Sequence, residues 1–156
     1  RYDNLIILRT CSKMLGMAAL RLGFAVANTR LTGILKAAKS PYNVNAVTQA
    51  MANVVLANPI YKNVYREILI KSRNELLTSL RKLEAEGLLD RVYDSCTNFV
   101  YIRLKGAKRI YDLLRDRGIL VRRFGDDHLR ITAATQAENE EVAAVIRFLQ
   151  MHKEIG

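Results

Sequence analysis

The chain has 156 residues, half of them apolar and about a quarter charged, which is ordinary for a folded protein of one domain or two small ones. Its net charge of +10 allows nucleic acid, an anionic membrane surface or phosphorylated metabolites as partners. No apolar stretch approaches the roughly 18–20 residues of a membrane helix, and no signal-peptide pattern is present, so we expect a cytoplasmic protein. Arg1 stands in place of an initiator methionine, which predicts a chain that is cut, processed or only partly covered.

The two cysteines, Cys11 and Cys96, are far apart and belong to no CxxC or Cys–His pattern. This spacing predicts neither a metal site nor a disulfide framework. Cys11 lies two positions before Lys13, so a reactive thiol is one interpretation. A small buried thiol at the end of a strand is the favoured one.

The first third of the chain has the pattern of an α/β protein. Residues 5–10 and 23–27 are short, continuously apolar runs, and we predict two fully buried strands in a sheet covered on both faces. Two strands make no sheet core by themselves, so they need further partners. Helices are predicted at residues 31–38 and 45–57, and the second has few charges and is expected to be largely buried.

A long amphipathic helix is predicted from Pro59 to Glu86. Asn58 is suited to an N-cap, Pro59 to the first helical position, and Gly87 to a C-terminal stop. We place a domain boundary near residue 59, between a region 1–58 and a region 59–156.

The second region has an α+β pattern. Strands are predicted at residues 91–93, 98–104, 119–124 and 129–133, and helices at 107–117 and 136–153. Thr135 and Glu138 have the spacing of a capping box at the start of the last helix. The strands at 98–104 and 119–124, joined by a helix, are expected to form a βαβ-like unit.

The residues after the first strand are suited to a phosphorylated aldehyde. Thr10, Ser12 and Arg21 offer hydroxyls and a permanent positive charge for a phosphate, while the Lys13 amine is able to condense with a carbonyl. We expect the turn at Gly16 to bring Arg21 back toward the two hydroxyls. These are the chemical needs of pyridoxal phosphate binding.

Two later strands each contain an arginine among apolar residues, at Arg122 and Arg130. An arginine in such a strand needs an anion or a carboxylate partner. Alternation places Leu129 and Ile131 on one face and Arg130 with His128 on the other. An edge strand with an exposed arginine is the alternative interpretation of either segment.

Five segments occur in the order, and at about the spacing, of one enzyme family. They are residues 7–13, 20–24, 41–45, 118–122 and 129–132, with the sequences ILRTCSK, LRLGF, PYNVN, GILVR and LRIT. In these segments the chain resembles histidinol-phosphate aminotransferases, which are fold-type I pyridoxal phosphate enzymes. The resemblance implies an α/β and α+β fold, namely the C-terminal portion of such an enzyme: part of the large-domain sheet, a linker helix and the small substrate-binding domain.

The resemblance also implies a role for each candidate residue. Lys13 would condense with the cofactor and transfer the proton, and Thr10, Ser12 and Arg21 would bind the cofactor phosphate. Arg130 would bind the carboxylate of glutamate or the substrate phosphate, and Arg122 would help to bind that phosphate. Arg123 is expected to point to the other face. The implied reaction, in histidine biosynthesis, moves the amino group of glutamate to imidazole acetol phosphate, in a homodimer when intact.

One departure from the family concerns the residues before Lys13. The family's N-terminal half supplies an aspartate for the pyridine nitrogen and an aromatic ring that stacks on the cofactor. We expect the twelve residues before Lys13 not to replace them, so the isolated chain is expected not to catalyse transamination.

Two alternatives remain at this point. Threonine-phosphate decarboxylases use a cofactor lysine and substrate-binding arginines in the same way. Only the reaction catalysed would distinguish such an enzyme from an aminotransferase. A non-catalytic basic domain that binds nucleic acid belongs to a different class, and it would show salt-dependent DNA binding that Lys13→Ala leaves unchanged. Lys and Arg are spread along the chain instead of forming one stripe, so we expect no nucleic-acid or membrane partner.

Overall fold

A computed structural model of the chain describes residues 2–152, and of residues 61 and 62 only the backbone. The chain divides into two compact units, Arg1–Arg66 and Glu67–Gly156, and the division falls inside the long helix α3.

The first unit begins with a two-stranded antiparallel ribbon. Strand β1 (Ile7–Thr10) pairs with β2 (Gly23–Val26), with Ile7 opposite Val26 and Thr10 opposite Gly23. A short 3-10 helix (Ala18–Leu20) lies between them. Helices α1 (Thr29–Ala38) and α2 (Ala46–Ala57) follow, capped by Asn28 and Asn45, whose Oδ1 atoms each accept a backbone N–H at 2.8 Å. The predicted strands and helices of this region are therefore present.

The predicted burial of these strands is wrong in this unit. All four residues of each strand are exposed, with Leu8 78% and Val26 58% accessible. The expectation for α2 is also wrong, since only Thr48 and Ala52 of that helix are buried. The composition favours burial, but burial requires a covering layer on each face of the ribbon. The described residues of this unit do not supply one.

A small core holds the loop between the strands. Its buried members are Cys11, Leu15, Met17, Leu22 and Ala52, and Leu20, Val44, Val55 and Leu56 pack against them. The Thr48 hydroxyl, almost fully buried on α2, donates to the Leu20 carbonyl at 3.1 Å. This contact fixes α2 against the 3-10 helix, and so fixes the loop that carries Lys13.

Helix α3 (Pro59–Ala85) begins at the predicted proline and ends just before Gly87, whose φ of 73° lies in the left-handed region that glycine tolerates. The second unit then contains β3 (Arg91–Val92), β4 (Phe99–Arg103), α4 (Ala107–Asp116), β5 (Arg122–Phe124), β6 (His128–Thr132) and α5 (Gln136–Met151). The predicted end of α5, residue 153, lies outside the described residues.

The four strands of the second unit form an antiparallel sheet in the order β3-β4-β6-β5. Strands β4 and β5, which α4 connects, run parallel but are not neighbours, because β6 lies between them and pairs with both. The predicted βαβ-like unit is therefore a split one. Strand β5 is shorter than predicted and starts at Arg122, and Leu120 before it is 83% exposed.

One face of this sheet forms the main core. Val100 opposite Ile131, and Ile102 opposite Leu129, are buried side-chain pairs on the two central strands. Buried leucines and isoleucines of α3, α4 and α5 belong to the same cluster: Leu76, Leu80, Leu83, Ile110, Leu114, Ile146 and Leu149. The alternate residues of β4 and β6 are half-buried or exposed, so the other face of the sheet is available to a ligand.

The capping box predicted at the start of α5 is present. The Thr135 hydroxyl accepts the Glu138 N–H at 3.4 Å, and the Glu138 carboxylate accepts the Thr135 N–H at 2.9 Å. The hydrogen bond from the Thr135 hydroxyl, and then that from its backbone N–H, lower the pKa of Glu138.

We expect this carboxylate to make stability depend on pH. Because the pKa of Glu138 is lower in the folded state, its contribution is fully present above the ordinary pKa of glutamate. That contribution disappears as the pH falls through the lowered value. The free energy of unfolding, measured by urea titration for wild type and Glu138→Gln, should therefore differ near neutral pH and converge in acid. A difference that stays constant with pH would contradict this.

Within residues 2–152, no helix combines the length and the apolar character that crossing a bilayer requires. The same residues contain no cluster of three or more His, Cys, Asp or Glu side chains able to hold a metal ion.

Candidate functional site

Lys13 lies in the turn that follows β1. The Gly16 N–H donates to the Lys13 carbonyl at 3.1 Å, and the Met17 N–H donates to the Cys11 carbonyl at the same distance. Cys11 and Leu15 point into the small core, which leaves Lys13 between them exposed. Its amine makes no hydrogen bond or ion pair with residues 2–152. The sequence therefore builds a fixed turn that presents an accessible primary amine.

The backbone returns along β2, so the segment that carries Arg21 follows directly on the ladder with β1. The Cys11 N–H donates to the Leu22 carbonyl at 3.1 Å, which continues the β1–β2 register beyond Thr10 and Gly23. The Arg21 N–H donates instead to the Ala18 carbonyl, and Arg21 has a left-handed φ of 51°, so the ladder ends at the Cys11–Leu22 pair. The Arg21 guanidinium is exposed and donates one N–H to the Ala18 carbonyl at 3.1 Å. The structure thus brings together the segments that carry Thr10, Ser12, Lys13 and Arg21.

Two glycines allow this close return. Gly16 has a φ of 64°, and an added Cβ would lie 3.2 Å from the Tyr65 hydroxyl oxygen. An added Cβ at Gly23 would lie 2.9 Å from the Arg9 carbonyl oxygen, which is backbone and unable to rotate away. Both positions therefore require glycine, one for its conformation and one for space.

Cys11 is buried, as favoured from the sequence, and Cys96 is exposed. Burial raises the pKa of the Cys11 thiol, because the apolar surroundings disfavour the thiolate. The buried thiol is thus a packing residue beside the Lys13 turn, and the reactive interpretation loses its support.

We expect iodoacetamide to separate the two thiols. Since the thiolate is the nucleophile, Cys96 should be alkylated faster than Cys11 by about 10-fold or more. Quenched time points followed by peptide mass spectrometry give the two rates. Equal rates in the folded chain would contradict the burial of Cys11, and in denaturant the difference should vanish.

Arg122 and Arg130 lie on the open face of the second sheet. The register of the three strands sets Tyr101, Arg130 and Arg122 directly opposite one another on β4, β6 and β5. As predicted, Leu129 and Ile131 are buried while His128 and Arg130 share the other face. Arg123 occupies the alternate position, where its guanidinium pairs with the Asp126 carboxylate at 3.3 Å.

Neither of the two face arginines has a carboxylate partner among the described residues. Within residues 2–152, Arg122 and Arg130 make no ion pair, and the buried Arg130 Nε has no hydrogen-bond acceptor. Two like charges directly opposite in an antiparallel pair are unfavourable unless an anion lies between them. The face is therefore suited to binding an anion.

Aromatic rings surround these arginines. The Arg130 Cζ lies 5.0 Å from the Phe99 ring centroid and 5.9 Å from that of Phe124, and the Arg122 Cζ lies 5.2 Å from Phe124. These distances are typical of cation–π contacts. These rings were not predicted as part of the site. Alternation around Val100 would have placed Phe99 and Tyr101 on the open face of their strand, but their contacts with the arginines depend on the pairing of the strands.

His128 completes the face. Its ring stacks on Tyr101 with centroids 5.0 Å apart, and its Nδ1 lies 2.6 Å from the Asp127 carboxylate, which also accepts from Arg103 Nε at 3.0 Å. Desolvation raises the pKa of Asp127, but the hydrogen bonds and charges of His128 and Arg103 together outweigh it, and the net pKa is lowered. The Asp127 carboxylate therefore interacts with the side chains of His128 and Arg103.

Comparisons with known proteins support the sequence resemblance. The family model described as aminotransferase class I and II matches residues 1–146. The histidinol-phosphate aminotransferase of Clostridium kluyveri is 39% identical over 145 residues, which cover 90% of this chain and 40% of that relative. The chain therefore spans about two fifths of the length of the curated relatives it matches.

Solved structures give the same result. Histidinol-phosphate aminotransferase from Sinorhizobium meliloti, in complex with pyridoxal-5'-phosphate, superimposes with a TM-score of 0.77 at 28% identity, covering 94% of this chain and 42% of that one. L-threonine-O-3-phosphate decarboxylase from Porphyromonas gingivalis has a TM-score of 0.77 at 24% identity, covering 96% and 47%, and shows likeness of fold alone. The resemblance and the fold-type I class expected from the sequence are confirmed.

Proposed function

Because the chain belongs to the aminotransferase class I and II family of pyridoxal phosphate enzymes, we propose that it attaches this cofactor through Lys13 and holds the phosphate through Thr10, Ser12 and Arg21. The observation that supports the proposal is the hydrogen-bonded turn that presents the exposed Lys13 side chain directly after the Thr10–Gly23 and Cys11–Leu22 pairs.

The hydrogen-bond donors in this segment are suited to the cofactor phosphate. A phosphate dianion needs several hydrogen-bond donors and a permanent positive charge, which two hydroxyls and a guanidinium with remaining N–H groups provide. The Thr10 hydroxyl oxygen accepts the Ser12 N–H at 3.1 Å, so its own O–H is directed elsewhere. The Lys13 amine has no competing partner in residues 2–152.

The chemistry is divided between the cofactor and the chain. When bound, pyridoxal phosphate supplies an aldehyde and an electron-withdrawing ring. Lys13 Nζ would be the nucleophile for the covalent attachment, with the aldehyde oxygen released as water, and the same amine, once free, would take and return the substrate proton. Arg21 would neutralise the charge of the phosphate.

Arg122 and Arg130 are proposed to bind the acidic groups of the substrates. Their facing charges support this role, as do their lack of carboxylate partners in the described part of the chain and the Arg130 Nε without an acceptor there. Arg130 would bind the carboxylate of glutamate or the phosphate of the acceptor, and Arg122 would assist with that phosphate. Each forms charge-assisted hydrogen bonds that a neutral substrate would not support.

We extend the proposal to the whole protein. Residues 1–58 would belong to the cofactor-binding large domain and residues 59–156 to a linker helix and small domain, in a homodimer when intact. The exposed apolar faces of β1 and β2 are consistent with a larger sheet around them.

The proposed reaction is transfer of the amino group of glutamate to imidazole acetol phosphate. The likeness of fold to a threonine-phosphate decarboxylase supports a second candidate. In a full-length protein that contains this chain, transfer would consume glutamate with the acceptor, whereas decarboxylation would release carbon dioxide from threonine phosphate. Measurement of both products on one preparation distinguishes the two.

The phosphate clamp is tested by comparing pyridoxal phosphate with pyridoxal. Wild type should bind the phosphorylated form about 10-fold or more tightly, since charge-assisted hydrogen bonds are the stronger class. We expect Arg21→Ala to remove most of this preference, whereas Arg30→Ala, an exposed arginine on α1, retains it. Visible absorbance follows the binding. An unchanged preference in Arg21→Ala would contradict the role of Arg21.

A further inference from the structure

We infer that Phe99 and Phe124 are positioning residues that fix the guanidinium of Arg130, and that Phe124 also fixes Arg122, so that both arginines present their N–H groups to one anion. This inference rests on the proposed function of the two arginines and adds the residues through which their geometry is set.

The strand register places these rings beside the arginines. Phe99 is opposite Thr132, two residues from Arg130, and Phe124 is opposite His128, two residues from Arg130 on the other side. Such diagonal neighbours on one face lie within reach of aromatic and long side chains. Arg130 therefore has a ring diagonally on each side, and the measured distances of 5.0 and 5.9 Å are contacts with both.

An aromatic ring orients a guanidinium in a way that a carboxylate does not. A carboxylate partner would occupy N–H donors and neutralise the charge that the anion requires. A ring attracts the cation through its face and leaves the in-plane N–H groups free. In Arg130 the Nε is buried and makes no hydrogen bond within residues 2–152, while the Cζ lies 5.0 Å from the Phe99 ring centroid and 5.9 Å from that of Phe124.

Phe124 serves both arginines. Its centroid lies 5.2 Å from the Arg122 Cζ and 5.9 Å from the Arg130 Cζ, and the two arginines are direct partners across β5 and β6. One ring thus holds two like charges on the same face although they repel. The pair is arranged before any ligand arrives, so less side-chain freedom is lost on binding.

The test uses the full chain with ¹⁵N-labelled arginine. The Nε–Hε NMR signals of Arg122 and Arg130, assigned with Arg122→Lys and Arg130→Lys, are followed while inorganic phosphate or glutarate is added. We expect Phe99→Leu to weaken phosphate binding about 3- to 5-fold, the range of an exposed cation–π contact, and Phe99→Tyr to restore it. Phe148→Leu, an exposed phenylalanine on α5, is the matched control and should have no effect.

A double-mutant cycle separates positioning from a general packing role. If Phe99 acts through Arg130, then Phe99→Leu has no further effect on phosphate affinity in an Arg130→Gln background. The ligand-free spectrum gives a second measurement, because the ring-current shift of the Arg130 Hε should disappear in Phe99→Leu.

Two results would overturn the inference. An effect of Phe99→Leu that persists in Arg130→Gln would mean that the ring acts through the fold in general, while the anion role of the arginines would stand. If neither anion moves the Arg130 signal in wild type, the positioning inference and the anion role both fail. Attachment of the cofactor at Lys13 is measured separately and would be unaffected.

Discussion

Lys13→Ala is expected to abolish the specific attachment of pyridoxal phosphate to the chain. The turn around Cys11 and Leu15 fixes the backbone that carries the Lys13 side chain, and the loop between β1 and β2 contains no second lysine. After incubation with a slight excess of the cofactor and reduction with borohydride, the intact mass should show one added group in wild type. In Lys13→Ala the added group should fall by about 10-fold or more, because the clamp then lacks a nucleophile.

The matched control for this experiment is Lys39→Ala, an exposed lysine after α1 in the same unit. Lys39→Ala should gain the same amount of reduced cofactor as the wild type. Because Lys13 is exposed and makes no hydrogen bond in residues 2–152, neither change should alter the unfolding midpoint. If Lys13→Ala retained full labelling, attachment would be a general property of the surface lysines and the proposal would fail.

Leu129→Ala is expected to cause a large loss of stability in the sheet that carries Arg122 and Arg130. Leu129 is 0% exposed on the central strand β6, opposite Ile102 and within the main core. Truncation of such a leucine costs about 2–5 kcal/mol of unfolding free energy, from lost transfer energy and the cavity left behind. Urea unfolding followed by circular dichroism measures the difference.

The neighbouring residue provides the contrast. Arg130 alternates with Leu129 onto the open face, so Arg130→Lys should change the unfolding free energy by less than about 1 kcal/mol while weakening anion binding. Similar losses of unfolding free energy for Leu129→Ala and Arg130→Lys would contradict the placement of Leu129 in the core and of Arg130 on the open face of β6.

Local sequence patterns predicted those features of the structure that depend on residues close together in the chain. Alternation in 128–132 predicted which side chains face the core, because successive residues of a strand point to opposite faces. Pro59 and the Thr135–Glu138 pair predicted where α3 and α5 begin, since caps act within one turn. The predicted approach of Arg21 to the hydroxyls of Thr10 and Ser12 stays a prediction.

Other features depended on residues distant in sequence. The burial of β1 and β2 was predicted from composition, but the described first unit has no layer on either face of the ribbon. The insertion of β6 between β4 and β5 is a long-range pairing that the order of elements does not reveal. For the same reason, the contact between Phe99 and Arg130 was not predictable: it requires the register of β4 against β6.

The location of the attached cofactor tests the central claim most directly. Wild-type chain is incubated with one equivalent of pyridoxal phosphate, reduced with borohydride, digested and analysed by peptide mass spectrometry. We expect most of the added group on the peptide that contains Lys13. Distribution over Lys36, Lys39, Lys71 and the other exposed lysines, with no excess at Lys13, would contradict it.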